Sequence, residues 1–284
     1  MNAWSIIGVG TTALVGGAII VGLTMHRSAM REAQEGYATL AAIERRPMKR
    51  FDPAQVAQLP EVARRYFHHA IAPGTPLYSV AELEMEGSFL LGDRDDFQTY
   101  DMSARQVLRP PHQFVWIPRM HSGMVSISGS DALVAGKAWT RFWLFGLVPV
   151  AQEHTSPDLV RSAEFRAAVE GALWLPTSLL PENGVDWEEV SANRAQLTLH
   201  RYDPPIILNL TLTPSGAVRE VVGQRWSNAN RDKVFRLQPF GAAVSSEGTF
   251  QGLTIPTRLA AGNHYGTFEY LPFFQARLTH VSYR

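Results

Sequence analysis

The feature of this sequence that most constrains its fold is an alternation of apolar and polar residues. In VAELEMEGSF, residues 80–89, small or apolar residues alternate with three glutamates and a serine. Successive side chains of a strand point to opposite faces, so this period of two predicts an antiparallel strand with one solvated face. Weaker alternation recurs within residues 97–141 and 194–283. The sequence therefore predicts a sheet of roughly ten or more strands, large enough to curl.

Two helical patterns accompany these strands. The first, from Pro60 to Ala72, has proline in its first turn and Pro-Gly after its end. The second, from Pro157 to Trp174, follows Ser156 as N-cap and ends before Pro176. Its last two turns are apolar nearly all round, which predicts a helix packed against the sheet. We expect a mainly β fold with α elements, in which a strongly curved antiparallel half-barrel is covered by one or two helices.

The N-terminus predicts a membrane anchor ahead of this domain. Residues 3–25 carry no charged side chain, and a helix of that length would cross a bilayer core of roughly 30 Å. No basic residue precedes the segment, so we expect a retained transmembrane helix rather than a cleaved signal peptide. Arg27 and Arg31 follow it. By the positive-inside rule they predict a single-pass protein of the bacterial inner membrane with a cytoplasmic domain, the alternative being a periplasmic one.

Three segments follow from these patterns. We expect a transmembrane anchor over residues 1–27, a helical juxtamembrane stalk and linker over 28–58, and the sheet domain over 59–284. The linker carries a basic cluster that either touches anionic headgroups or is simply solvated. The cluster consists of Arg45, Arg46, Lys49 and Arg50.

Composition excludes several classes of function. Lys and Arg together number 26, as do Asp and Glu, so no overall charge favours nucleic acid as a partner. The chain contains no cysteine, which excludes thiol nucleophiles and thiolate metal ligands. We find no nucleophile elbow, zinc-protease, phosphate-loop or dinucleotide motif. The sequence predicts a protein that is not an enzyme, with no catalytic residues, no metal and no cofactor.

Five segments carry a resemblance to a known family: LPEVARRYFHHAI, GSF, FVW, GALWLPTSLLP and VDWEEV. Over about residues 59–284 the chain resembles a bacterial family described only as a domain of unknown function. More loosely, it is similar to Lol-type lipoprotein carriers, whose open half-barrel holds acyl chains beneath helical lids. The resemblance implies a fold and no reaction. The family's central motif falls on Glu170, Trp174, Pro176, Leu179, Leu180, Pro181 and Trp187.

The uncharged segment GALWLPTSLLP, residues 171–181, suggests a ligand site. Pro176 stops the helix where the apolar residues continue, so we expect this loop to cap the concave sheet. Trp174 would be inserted, and Leu179 and Leu180 would form one lip of an apolar pocket. The candidate ligand-binding residues are Trp116, Arg119, Glu170, Trp174, Pro176, Leu179 and Leu180.

Glu170 lies one turn before Trp174, so its carboxylate enters an apolar interface. An unpaired buried charge is costly. Two interpretations remain open: a buried pair with an arginine, for which we favour Arg119, or an acid with a raised pKa that faces the ligand.

These features predict a membrane-anchored, non-catalytic binder or carrier of an apolar ligand such as a lipid or an acyl chain. The alternative is a structural single-span subunit of a larger membrane complex. Its partner would be contacted through the span and through the aromatic segment Trp143-Phe145. The side chains of this segment either belong to the core, which we favour, or are exposed and mark a contact surface.

Overall fold

The protein is described by a computed structural model that covers residues 3–42, 49–111 and 113–284. Side chains are described for residue 17, for residue 19 and for the later residues of these ranges. Arg45 and Arg46 of the predicted basic cluster lie outside the described residues. The three helices among the described residues are α1 (Ala3–Ala41), α2 (Glu61–Ala70) and α3 (Pro157–Trp174).

The strands of the described residues form one sheet of thirteen. They are β1 (Ala81–Asp93), β2 (Asp96–Arg109), β3 (Gln113–Ser122), β4 (Val125–Val134), β5 (Lys137–Leu144), β6 (Val148–Glu153), β7 (Val185–Ser191), β8 (Arg194–Leu199), β9 (Ile206–Leu212), β10 (Val218–Ser227), β11 (Arg236–Phe250), β12 (Leu253–Asn263) and β13 (Phe274–Tyr283).

The sheet is an antiparallel meander in two halves. Its order is β6-β5-β4-β3-β2-β1-β13-β12-β11-β10-β9-β8-β7. The first and last strands of the chain pair at its centre, where Ala81 lies opposite Tyr283. The edge strands β6 and β7 are consecutive in sequence, and the chain passes from one to the other through α3. The first and last strands, β1 and β13, are thus neighbours at the centre of the sheet, and helix α3 connects its two edge strands.

Helix α3 lies inside the curve of the sheet. It contacts β5 in one half and β9, β10 and β12 in the other, so the sheet must bend around it. The Ser156 hydroxyl caps the helix by accepting a hydrogen bond from the Leu159 amide at 3.1 Å. Gly223 of β10 allows the close approach, because a Cβ there would lie 2.8 Å from the Phe165 ring. The predicted curved antiparallel sheet with covering helices is confirmed.

One end of the concave face is filled by side chains. Tyr66 and Phe67 of α2 pack against Trp187 of β7, each with ring centroids 5.2 Å from that indole. Residues 175–183 form two short 3₁₀ turns over the same region. The Trp187 indole donates to the Leu179 carbonyl at 3.0 Å, and Thr177 donates to the Tyr78 carbonyl at 2.6 Å. We call this part of the molecule the filled region.

The second half of α1 packs on the outer, convex face of the sheet. Ala33, Leu40 and Ala41 are buried there against Val115 and Trp139. Near the start of the described side chains, Gly22 meets the turn between β5 and β6, since a Cβ there would lie 2.3 Å from the Leu147 carbonyl oxygen. The structure therefore differs from the predicted stalk, because residues of 28–42 are part of the sheet domain's packing.

The predicted transmembrane anchor is not supported. Among the residues that the structure describes, no helix is both long enough and apolar enough to cross a membrane. The side chains of residues 1–16, which carry most of the predicted span, lie outside the described set. The cytoplasmic orientation deduced from Arg27 and Arg31 depends on that span and stays a prediction.

Candidate functional site

A large cavity lies between α3 and the concave face of the sheet, beside the filled region. Its volume is about 750 Å³, which is within the range of small-molecule sites. Protein interiors leave few voids larger than a water molecule, so an unfilled space of this size is a feature to explain. Aromatic side chains make up much of the wall. They are Phe89, Tyr100, Trp116, Phe142, Phe165, Trp174, Phe235, Phe240, Phe273 and Phe274.

Small residues on the inner face of the sheet leave this space open. Ala242 of β11 and Ala261 of β12 are cross-strand partners, and both line the cavity. Their sequence neighbours Ala243 and Ala260 point to the outer face, where they line a shallow groove. The alternation of the two strands therefore places a pair of methyl groups where larger side chains would close the cavity.

A charged network forms one wall of the cavity. Arg166 of α3 donates from Nη1 to Asp131 Oδ2 at 2.5 Å and from Nε to Glu170 Oε1 at 2.7 Å. Gln106 donates to the other Glu170 oxygen at 2.5 Å, and Thr140 donates to Asp131 at 2.9 Å. The Arg166 guanidinium also lies over the Trp116 ring, 5.0 Å from its centroid. One arginine thus bridges two carboxylates beside an aromatic wall.

Burial sets the pKa values in this network. Burial raises the pKa of Glu170, against the opposing effects of Arg166 and Gln106. For Arg166, burial alone would lower the pKa, but the Glu170 and Asp131 carboxylates together raise it. The arginine is therefore held as a cation, and the Glu170 carboxyl is a weaker acid than one in water.

Arg225 of β10 is a second arginine on the cavity wall. Its Nε donates to the Ser162 hydroxyl of α3 at 3.2 Å, and its guanidinium lies 5.5 Å from the Phe240 ring centroid. Among the described residues it forms no ion pair with a carboxylate. Burial lowers its pKa, and the charge of Asp131 opposes that shift.

Two indole N–H groups of the cavity wall lack hydrogen bonds. The Nε1 atoms of Trp116 and Trp174 are buried and have no partner among the described residues. Tyr66 in the filled region also has a buried hydroxyl without a partner. A missing hydrogen bond is therefore not specific to the cavity, although buried polar groups are usually paired.

The structure brings together three of the seven predicted site residues. Trp116, Glu170 and Trp174 line the cavity. Leu179 and Leu180 are fully buried in the filled region and do not form a lip of the cavity. Pro176 is also buried away from the large cavity, beside Tyr66 and Ala70.

The predicted pairing of Glu170 with Arg119 is wrong. Arg119 is exposed on β3, next to Pro118 and Met120, whereas Glu170 pairs with Arg166 of its own helix. The spacing of four between Arg166 and Glu170 was a usable signal, because such residues are neighbours on a helix. Asp131 and Arg225 carried no comparable signal, since their partners come from other elements.

The aromatic segment Trp143-Phe145 divides between core and surface. Trp143 is buried and contacts His26 of α1, with ring centroids 5.1 Å apart. Phe145 is exposed in the turn between β5 and β6, at a backbone φ of 54°. Of these two aromatic residues, only Phe145 is exposed and can contact a partner protein.

The chain belongs to a family of unknown function, DUF6544, whose model matches residues 49–276. This confirms the family resemblance seen in the sequence. No curated protein matches the chain.

Distant solved structures are similar to this chain. A LolA superfamily protein from Nitrosomonas europaea shares 8% identity over 78% of this chain and 92% of its own, with a TM-score of 0.39. A domain of a putative outer membrane lipoprotein-sorting protein from Vibrio parahaemolyticus shares 9% identity over 79% and 91%, with a TM-score of 0.36. A DUF1329 family protein from Desulfovibrio piger shares 11% identity over 82% and 94%, with a TM-score of 0.29.

Proposed function

We propose that this protein is a non-catalytic binder or carrier of an apolar ligand of the lipid or acyl type. The observation that carries the proposal is the cavity of about 750 Å³ between α3 and the sheet, walled largely by aromatic and aliphatic side chains. An apolar space of this size loses the packing contacts that a core would make, and an apolar guest restores them.

The arrangement of the wall supports binding rather than a reaction. The carboxylates Asp131 and Glu170 are both engaged by Arg166, and Glu170 is also held by Gln106. The network shapes and fixes the wall, and the aromatic residues provide the contact surface.

A cavity-filling variant tests the proposal. Ala261→Phe should narrow the cavity and weaken uptake of N-phenylnaphthylamine, a neutral probe that fluoresces in apolar surroundings. Ala260→Phe is the matched control, because the adjacent residue points to the outer face of the same strand. It should take up the probe like the wild type.

The result that would defeat the carrier proposal is also specific. Wild-type protein that takes up no probe, and carries no lipid detectable by mass spectrometry after native purification, would contradict it. Equal uptake by wild type and by a correctly folded Ala261→Phe variant would place the probe outside the cavity.

A structural subunit of a membrane complex is the second candidate function. Helix α1 and the turn between β5 and β6 touch at Gly22 and Leu147 and carry exposed apolar side chains near this contact. These are Ile19, Ile20, Val21, Met25, Phe145 and Val148 at the start of β6. Exposed apolar clusters commonly mark contact surfaces. Recovery of a stoichiometric protein partner in mild detergent, without bound lipid, would favour this function over the carrier.

A further inference from the structure

We infer that the ligand of the cavity is an amphiphile with an anionic head group, a carboxylate or a phosphate, and that Arg225 binds the anion. The inference rests on the proposed function, since it concerns the ligand of the same cavity. It adds a chemical class and a position for the head group.

The first observation is that the Arg225 guanidinium is held in place on the cavity wall. Ser162 of α3 accepts its Nε–H at 3.2 Å, and Phe240 of β11 packs against it. Only one of its five N–H donors is used by these contacts. The terminal nitrogens of Arg225 have no hydrogen-bond partner among the described residues.

The second observation is the contrast with Arg166. Arg166 forms ion pairs with Asp131 at 2.5 Å and Glu170 at 2.7 Å. No carboxylate of the described residues lies within the 4.0 Å that defines an ion pair around Arg225. Three carboxylates line the cavity: Arg166 engages Asp131 and Glu170, and Glu153 forms no ion pair with Arg225 among the described residues. The terminal nitrogens of Arg225 are therefore free to bind an anion.

A cation withdrawn from water into an aromatic wall is costly unless an anion accompanies it. Asp131, Glu170 and Glu153 act on Arg225 only from beyond ion-pair distance, and a neutral lipid would leave its terminal N–H donors unbound. A carboxylate or phosphate would accept the planar fork of terminal N–H donors in a charge-assisted, bidentate contact. The alkyl chain of the same molecule would then occupy the apolar remainder of the cavity.

The test compares ligands that share a chain and differ in the head group. Dodecanoate, dodecyl phosphate and dodecanol would each displace N-phenylnaphthylamine from wild-type protein at about pH 8, where the fatty acid is ionised. We expect the anionic ligands to bind about 10- to 100-fold more tightly than the alcohol, as for other hydrogen bonds to charged groups. The stronger of the two anions identifies the head group as carboxylate or phosphate.

Variants of Arg225 assign the effect to its charge. Arg225→Gln should remove the preference for the anionic ligands, measured as the ratio of anion affinity to dodecanol affinity within each variant, and Arg225→Lys should restore part of that preference. Arg219→Gln is the matched control, since Arg219 is an exposed arginine of the same strand, and it should behave like the wild type.

The possible failures are distinguishable. If the wild type takes up the probe but binds dodecanol as tightly as both anions, the inference is overturned while the proposed function stands. The same holds if a folded Arg225→Gln variant keeps the full preference. If the wild type takes up no probe at all, the proposed function fails and the inference fails with it.

Discussion

The filled region and the cavity lie on the same concave face of one sheet, yet they use their aromatic side chains in opposite ways. In the filled region, Tyr66, Phe67 and Trp187 pack on one another and the Trp187 indole donates to the Leu179 carbonyl. Around the cavity, rings such as Phe142 and Phe274 are only partly buried and face a space of about 750 Å³. Aromatic content alone therefore does not distinguish a core from a site.

The difference between the two regions is what covers the sheet. Helix α2 and the turns of residues 175–183 bring large side chains down onto the filled region. Over the cavity the covering helix is α3, which faces small residues of the sheet at Ala242 and Ala261. Unpaired polar atoms occur in both regions, as Tyr66 and Trp116 illustrate. The empty volume beside Arg225 is what marks the cavity as a site.

The largest expected effect compares one phenylalanine from each region. Phe67→Ala should lower the free energy of unfolding by about 3–5 kcal/mol, because a fully buried ring leaves a cavity behind. Phe274→Ala should cost clearly less, about 1–2 kcal/mol, because part of that ring already faces empty space. Urea unfolding of both variants measures the two losses. Equal losses would show that the cavity is packed in solution and would remove the contrast.

Matched tryptophan substitutions sharpen the comparison at a single hydrogen bond. Trp187→Phe removes the donor to the buried Leu179 carbonyl, whereas Trp116→Phe removes a donor that has no partner among the described residues. The change in size is the same, so Trp187→Phe should cost about 1 kcal/mol more. The two unfolding free energies, measured under one condition, check this. A larger loss for Trp116→Phe would mean that its N–H group is hydrogen-bonded in solution.

Much of the fold could be predicted from local sequence signals. Ser156, Pro157 and Pro176 delimit α3 because capping groups and proline act within a turn of their own position. The alternation of apolar and polar residues predicted the strands, because side-chain direction in a strand has a period of two. The curvature of the sheet could also be predicted. A sheet of ten or more strands is large enough to curl, and a helix that is apolar nearly all round has to be packed against it.

The site was less predictable because it depends on contacts between distant segments. Arg225 meets Ser162 of α3 and Phe240 of β11, and neither contact has a periodic signal. The opening at Ala242 and Ala261 depends on the register between β11 and β12. The loop at Leu179 was expected on the cavity because it is uncharged, but its backbone hydrogen bonds hold it in the filled region.

The smallest expected effect is a pH dependence at the wall of the cavity. Burial raises the pKa of Glu170 above its ordinary value of 4.5, against the opposing charge of Arg166. In a folded protein such a carboxyl keeps a proton that the unfolded chain has lost, so its contribution to stability is fully present below about pH 4.5 and is lost as the pH rises through the raised pKa. The stability of wild type relative to Glu170→Gln should therefore fall as the pH increases from about 4 to about 8, by less than the limit of about 1.4 kcal/mol per pH unit for one proton.

Urea unfolding across this range measures the difference, and Glu188→Gln, which changes an exposed carboxylate on β7, provides the control from the filled region. A relative stability that instead rises with pH would mean that the Arg166 pair outweighs burial, and Glu170 would then be a permanently ionised member of the wall.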